Sequence, residues 1–489
     1  MASSTPTQSG LDRWFELSKR GSTMAREVRG GLVTFFTMAY IVALNPLIIG
    51  TAPDINDNLI SGLPNTPENV APTIGMVAAA TALIAAICTI AMGAIARYPV
   101  ALATGLGLNA LLAYVIAPQM TWPQAMGLVL IEGVLIGVLA LTGFRTAVFR
   151  AVPRSLRAGI AVGIGLFLTL VGLVESGIVT KIPGDGTVPV QLGLNGSLTG
   201  WPMAVFVLGL VLVSVLYARK VPGAMLIAII LATIAAVIIQ AVAPAGSKPD
   251  DPTGWSLNVP SIEQLVAAPD LSLLGRVDPV GAFTSGSLPV LAVALLIFTL
   301  MLADFFDTMG TIVAVGAEGD LLDAEGNPPH LRSILLVDSG AAALGGLGSV
   351  SSNTSYIESA TGVAEGARTG IASIVTGLAF AVAIVLSPVI NVVPSEAATP
   401  VLVFVGFLML QQVTEIDWSK VEDGLPAFLT LALMPFTYSI TTGIGAGFIF
   451  WVLLRVVLGR AREVHPIMWV VAAAFVVYFL QGPIGALIG

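Results

Sequence analysis

The sequence predicts an all-α polytopic membrane protein of fourteen transmembrane segments, organised as a seven-plus-seven inverted repeat. Three observations predict it. Of 489 residues, 56% are hydrophobic and only 10% are charged, too few charges to dress a water-facing surface. Apolar runs long enough to cross a ~30 Å hydrocarbon layer recur along the whole chain. A polar stretch over 244–287, carrying Asp250, Asp251, Glu263, Asp270 and Asp278, divides those runs into two equal sets.

The first set lies near 28–50, 72–96, 100–117, 123–142, 155–176, 201–218 and 222–243. The second lies near 288–316, 332–347, 349–366, 368–389, 396–413, 424–440 and 441–459. A last apolar run, 466–486, either crosses again or lies in the interface. Basic residues cluster at 13–29, at 145–157 (Arg145, Arg150, Arg154, Arg157) and at Arg219–Lys220. One crossing per segment puts these clusters on one side, which the positive-inside rule makes cytoplasmic. The expected location is therefore the cell membrane, multi-pass, with a cytoplasmic N-terminus. An odd number of spans per half inverts the second half relative to the first, as in inverted-repeat secondary transporters.

Within the first 27 residues, Leu11, Trp14 and Phe15 with Arg13, Lys19 and Arg20 suggest a short amphipathic helix on the membrane face; a disordered tail is the alternative. Asn45-Pro46 is expected to end the first span, because proline removes a helix hydrogen bond. The net charge of −8 reflects loop segregation and implies no nucleic-acid partner. Cys88 is the sole cysteine, and His330 and His465, both in expected loops, are the sole histidines. Neither a disulfide framework nor a thiolate or imidazole metal site is expected.

The third segment of each half is abnormal. Val100–Tyr114 carries Gly105, Gly107 and Asn109 at its middle, and Gly348–Gly362 is a Ser/Thr/Asn/Gly run containing Thr354, Ser355 and Glu358. Such backbone is tolerated at membrane depth only where protein buries it or a wet cavity meets it. Interrupted segments at matching places in two halves mark a transporter's binding site. The first span of the second half adds Asp304 and Asp307, three residues apart and so on one helix face. Intramembrane acids are costly and read as functional; no Lys or Arg lies within either run to neutralise them. Asp338 is expected to bond backbone or Ser339, Glu132 a neighbouring helix, and Glu365 to pair with Arg368.

At these residues the chain resembles the AzgA-like permeases, the adenine–guanine–hypoxanthine branch of the nucleobase–cation symporter (xanthine/uracil permease) superfamily. The motifs are Thr34–Pro46, Gly105–Ala110, Asp304–Gly310 and Thr354–Ala360, and the likeness runs from about 16 to 486. It implies a core domain (28–145 and 288–392) moving against a gate domain (146–243 and 393–460). Around them stand a cytoplasmic tail (1–27), an extracytoplasmic loop (244–287) and a C-terminal apolar segment and tail (461–489). It also implies partly strand-like third and tenth segments and a homodimer. Carried over by position, Asp304 and Glu358 are the principal substrate ligands and Asn109 and Asp307 support them.

A purine suits that set. A carboxylate accepts two parallel N–H bonds from a ring edge, Asn109 offers donor and acceptor, and main-chain N–H groups at an expected half-helix start near Thr354–Ser355 suit a carbonyl or ring nitrogen. Phe305 or Phe306 would stack on the ring. A proton on Asp304, Asp307 or Glu358 would couple transport to the proton gradient; no other cofactor is expected, and oxygen ligands leave Na⁺ open as the coupling ion. The alternatives are a sulfate- or bicarbonate-like anion permease of the same architecture, which would want basic sites, and an intramembrane metal-dependent prenyltransferase, which would need a second acidic cluster.

Overall fold

The computed structural model describes residues 10–142, 152–182, 190–248, 251–256, 259–260, 268–323 and 327–488. The basic residues Arg145 and Arg150, and the loop acids Asp250 and Glu263, lie outside them. The chain order is α1 (Gly10–Phe15), α2 (Met24–Met38), α3 (Ile41–Ile49), α4 (Pro67–Ala91), β1 (Leu102–Thr104), α5 (Leu106–Leu111), α6 (Trp122–Thr142) and α7 (Arg154–Glu175). A small hairpin, β2 (Val179–Lys181) with β3 (Val190–Leu192), precedes α8 (Trp201–Ala218), α9 (Ala224–Val242) and the single turn α10 (Gly281–Thr284). The second half supplies α11 (Val290–Glu318), α12 (Leu331–Leu347), β4 (Asn353–Ser355), α13 (Ser359–Ala364) and α14 (Gly370–Ala383). It ends with α15 (Ser395–Leu410), α16 (Val421–Thr437), α17 (Ile440–Val457) and α18 (Pro466–Ile488).

Among the described residues, ten helical stretches are long and apolar enough to cross a membrane. Four expected spans fall short of that length: α12 and α16 have 17 residues each, and the third and tenth segments are broken around the six-residue helices α5 and α13. Exposed Val207, Val211 and Val215 on α8 and Ile230, Ile234 and Ile238 on α9 give the bundle an apolar outer face, which is stable only against hydrocarbon.

Two sets of helices pack chiefly among themselves. In one, α6 lies on α12, α4 and α2 lie on α14, and α11 crosses α6. In the other, α7 lies on α15 and α16, α8 on α15 and α9, and α16 on α17. Small residues make the tightest crossings. A Cβ on Gly133 would sit 2.3 Å from the Ala343 nitrogen, and one on Gly346 would sit 2.7 Å from the Leu130 nitrogen. The backbones of α6 and α12 thus touch, as glycine allows between membrane helices.

Two local expectations need correction. The first span does not end at Asn45-Pro46: it breaks earlier, at Ala39–Tyr40, and Pro46 sits inside α3. Pro46 removes only the donor that would reach the Val42 carbonyl, and α3 continues past it to Ile49. Glu365 does not pair with Arg368. Its carboxylate meets Arg29 Nε at 3.0 Å, and the Arg368 guanidinium donates to the carbonyls of Val363 and Ala367 at 2.5 and 2.8 Å. The expected short N-terminal helix forms as α1, and one side of it packs on protein. Phe15 is buried, Trp14 Nε1 donates to the Ala94 carbonyl at 3.2 Å, and Arg97 lies over the Trp14 ring at 5.1 Å.

Candidate functional site

The polar run that makes a poor helix makes a strand once a partner is available. Strand β4 pairs antiparallel with β1, in the register Leu102↔Ser355, Ala103↔Thr354 and Thr104↔Asn353. The pairing continues beyond both strands through Gly105 N–H to the Ser352 carbonyl (3.1 Å) and Tyr356 N–H to the Ala101 carbonyl (3.0 Å). This ladder satisfies backbone that would otherwise be stranded in the apolar interior. Each strand then turns into a short helix, α5 after Gly105 and α13 after Glu358. The expected half-helix start at Thr354–Ser355 is corrected by this: those residues are strand, and α13 begins only at Ser359.

Helix α11 passes the crossing unbroken and carries three residues of interest. Asp304 is fully buried, and neither of its carboxylate oxygens has a hydrogen-bond partner among the described residues. The Thr354 hydroxyl lies beside it but is engaged with Thr308 Oγ1 at 2.8 Å. Asp307, on the neighbouring part of the same face, is exposed. The exposed positions continue through Gly310, Val313, Ala314 and Ala317 to Glu318, and a Cβ added at Gly310 would meet nothing within 4 Å. A carboxylate facing hydrocarbon at mid-helix is strongly disfavoured, so the Asp307 end of this stripe faces water. Phe305 lies about 200° round the helix from Asp307. It is buried at 5% exposure in an edge-to-face pair with Phe306, centroids 5.2 Å apart, so Phe306 is the ring nearer the open side.

Glu358 is half-buried at the N-terminal end of α13, and its carboxylate accepts a very short hydrogen bond from the Tyr40 hydroxyl. Tyr40 comes from the break between α2 and α3. Asp307 and Glu358 are electrostatic neighbours, whereas the charged neighbours of Asp304 are Glu132, Asp338 and Asp307. Asp304 thus belongs to a buried acid cluster, and Asp307 neighbours both that cluster and Glu358. Asn109 on α5 is fully buried; its Nδ2 donates to Thr104 Oγ1 at 3.3 Å, and its Oδ1 finds no donor among the described residues. Ser355 Oγ donates to Asp338 Oδ1 at 2.9 Å.

Asp338 reaches well beyond its own helix. It also accepts from Thr308 Oγ1 at 3.0 and 2.9 Å, which braces α12 against α11 and β4. Sequence reasoning missed Tyr40, Thr308 and Tyr356, whose hydroxyl donates to the Thr104 carbonyl at 2.5 Å. Tyr40 stands inside a motif quoted above, and its one signal is a phenol within an apolar span. The Tyr40→Phe protein is expected to fold and to bind its substrate about tenfold more weakly, since loss of one donor to a carboxylate costs roughly 1.5 kcal/mol; equilibrium binding to the purified protein checks it.

Residues 25–446 match the family described as "Permease family". The chain is 36% identical to the guanine/hypoxanthine permease PbuG of Bacillus subtilis over 96% of its length and 99% of that protein's. It is 35% identical to the adenine permease AdeP of Escherichia coli, over 96% of each chain. Among solved structures it resembles the transmembrane domain of the cyanobacterial bicarbonate transporter BicA (TM-score 0.55, 14% identity, 86% of this chain and 96% of that one). It also resembles murine Slc26a9 in its inward-facing state (TM-score 0.59, 14% identity, 93% and 74%). At such identities these two likenesses speak for the fold alone.

Proposed function

This chain belongs to the permease family, in its adenine–guanine–hypoxanthine branch, and from that premise we propose that it imports purine nucleobases by proton symport. It is a nucleobase permease and not an enzyme. The observation that carries the finer reading is a pair of acids beside the crossing of β1 and β4: exposed Asp307 and half-buried Glu358 are electrostatic neighbours. A neutral purine presents N–H edges, and carboxylates accept them in pairs. Glu358, Asp307 and Asn109 form the near wall of the purine site in this reading, Thr354 and Ser355 fix its floor, Phe306 rather than Phe305 supplies the ring, and Asp304 lies deepest. Asp304, Asp307 and Glu358 are the candidate proton carriers.

The symmetry of the packing supports a seven-plus-seven inverted repeat. Exchanging halves turns the α4–α14 contact into α12–α6, α2–α14 into α11–α6, α2–α13 into α11–α5 and α8–α15 into α16–α7, and all of these contacts occur. The same contacts support a core of α2–α6 with α11–α14, sliding as an elevator against a gate of α7–α9 with α15–α17. The exposed stripe from Asp307 to Glu318 leads to the side that the basic clusters mark as cytoplasmic, so the site is open inward. The cytoplasmic N-terminus and the homodimer belong to this reading.

Uptake of labelled adenine, guanine and hypoxanthine into proteoliposomes with an imposed pH gradient tests it. Accumulation above equilibrium, collapsed by an uncoupler, is the expected result. Failure of all three bases to accumulate overturns the purine assignment; accumulation driven by a Na⁺ gradient and indifferent to the uncoupler overturns the proton.

A further inference from the structure

Beside β4 a second pair of acids, Glu132 and Asp304, are electrostatic neighbours. Glu132 lies mid-way along α6, fully buried. Its Oε1 accepts from Ser352 Oγ at 3.4 Å, and its Oε2 has no partner among the described residues. Asp304, equally buried, has no partner on either oxygen. Ser352 and Thr354 are two residues apart on extended backbone and so point to the same side of the strand. Ser352 meets Glu132 and Thr354 lies beside Asp304, so the two carboxylates converge on one strand face, with α6 packed on α11.

The remaining ionisable groups around the pair do not neutralise it. From α12 comes Asp338, held by the hydroxyls of Thr308 and Ser355. From α11 comes Asp307, and from α4 the Cys88 thiol, which neighbours Asp338. Every charged neighbour of Glu132 and Asp304 is an acid. Against three acceptor oxygens without a hydrogen-bond partner among the described residues stand only neutral hydroxyls, Ser352 on Glu132 and Thr354 beside Asp304, a set that takes up a positive charge. Two carboxylates in a low-dielectric interior cannot both stay ionised without a counter-charge.

We propose that Glu132 and Asp304 share one proton in an O–H···O hydrogen bond, and that this pair is the coupling site, distinct from the Asp307–Glu358 pair that meets the substrate. One proton turns one orphaned oxygen into a donor and satisfies an orphan on the partner. The coupled cycle takes that proton from water on one side and returns it to water on the other, with no covalent change. A metal ion suits the place less: among the described residues no three His, Cys, Asp or Glu are grouped to hold one. The coupling role rests on the symport reading above; the shared proton does not.

Infrared spectroscopy of the purified, ligand-free protein at neutral pH tests the pair directly. A protonated-carboxyl C=O band that shifts in D₂O is expected, and it should vanish in both Glu132→Gln and Asp304→Asn while Glu132→Asp retains it. Persistence of the band in either neutral variant, or its absence from the unmodified protein, overturns the proposal, as does a band that changes with added Na⁺ at constant pH. If one variant does not fold, the other reads the same band. In proteoliposomes Glu132→Gln is expected to lose proton-driven accumulation, with purine binding that no longer varies with pH; a pH profile like that of the unmodified protein overturns the coupling role. Because the band needs no purine, its failure is separable from failure of the purine assignment.

Discussion

Replacing Asp304 with asparagine is expected to lower purine uptake by about 100-fold or more while leaving the protein folded. The two residues are nearly isosteric, and Asp304 makes no hydrogen bond to the described residues that the fold would lose. What disappears is charge. A carboxylate that accepts two N–H bonds contributes roughly 1.5 kcal/mol or more per bond, and 2.7 kcal/mol is a factor of about 100. If Asp304 instead acts through the proton it shares with Glu132, accumulation fails for a different reason. Equilibrium binding separates the two: weakened binding marks a direct ligand, and near-normal binding without accumulation marks the coupling role. An Asp304→Asn protein that accumulates purine at the original rate removes Asp304 from both. Size-exclusion chromatography of the detergent-solubilised variant shows whether the comparison is made on folded protein.

The sequence exposed the elements of this site and not their pairing. The broken segments are legible because composition weakens helix there: Gly105, Gly107 and Asn109 in one half, where helix survives only as the short α5, and the run from Ser349 to Ser355 in the other. The long helix carrying Asp304 and Asp307 was legible because its apolar run is continuous over Val290–Glu318. That the two acids live in different surroundings was not legible. They are one turn apart, and which of them meets water depends on what packs against each side of α11.

The hidden contacts are those between residues far apart in sequence. Glu132 and Ser352 are 220 positions apart, and Tyr40 and Glu358 are 318 apart. Periodicity reports a residue's own face and says nothing of the partner opposite. Asp338 was assigned to its own helix for the same reason: local bonding is the expectation that needs no fold, and the hydroxyls of Thr308 and Ser355 became candidates only when α11, α12 and β4 were brought together.

Gly133→Val is expected to be the most damaging substitution outside the acids, because it strikes the contact that holds them in place. A Cβ at that position falls 2.3 Å from the Ala343 nitrogen, 2.8 Å from its Cα and 2.9 Å from its Cβ. Two of those atoms are backbone of α12, so no side chain can turn aside to relieve them. Overpacking in a core that can adjust costs about 1–3 kcal/mol; here α6 and α12 must separate, and a cost at the top of that range or above follows. Separation would pull Glu132 from Ser352 and Asp338 from Thr308 and Ser355, so binding should fail together with stability. The expected results are a thermal transition lower by many degrees, poor recovery as a monodisperse species, and no measurable uptake. Gly133→Ala meets the same three atoms with a single methyl and should give a milder form of the same defect. Gly310→Ala, on the open stripe where an added Cβ meets nothing within 4 Å, is the control and should fold normally. If Gly133→Val were as stable as that control, the close α6–α12 crossing, and the placement of Glu132 and Asp338 that depends on it, would be wrong.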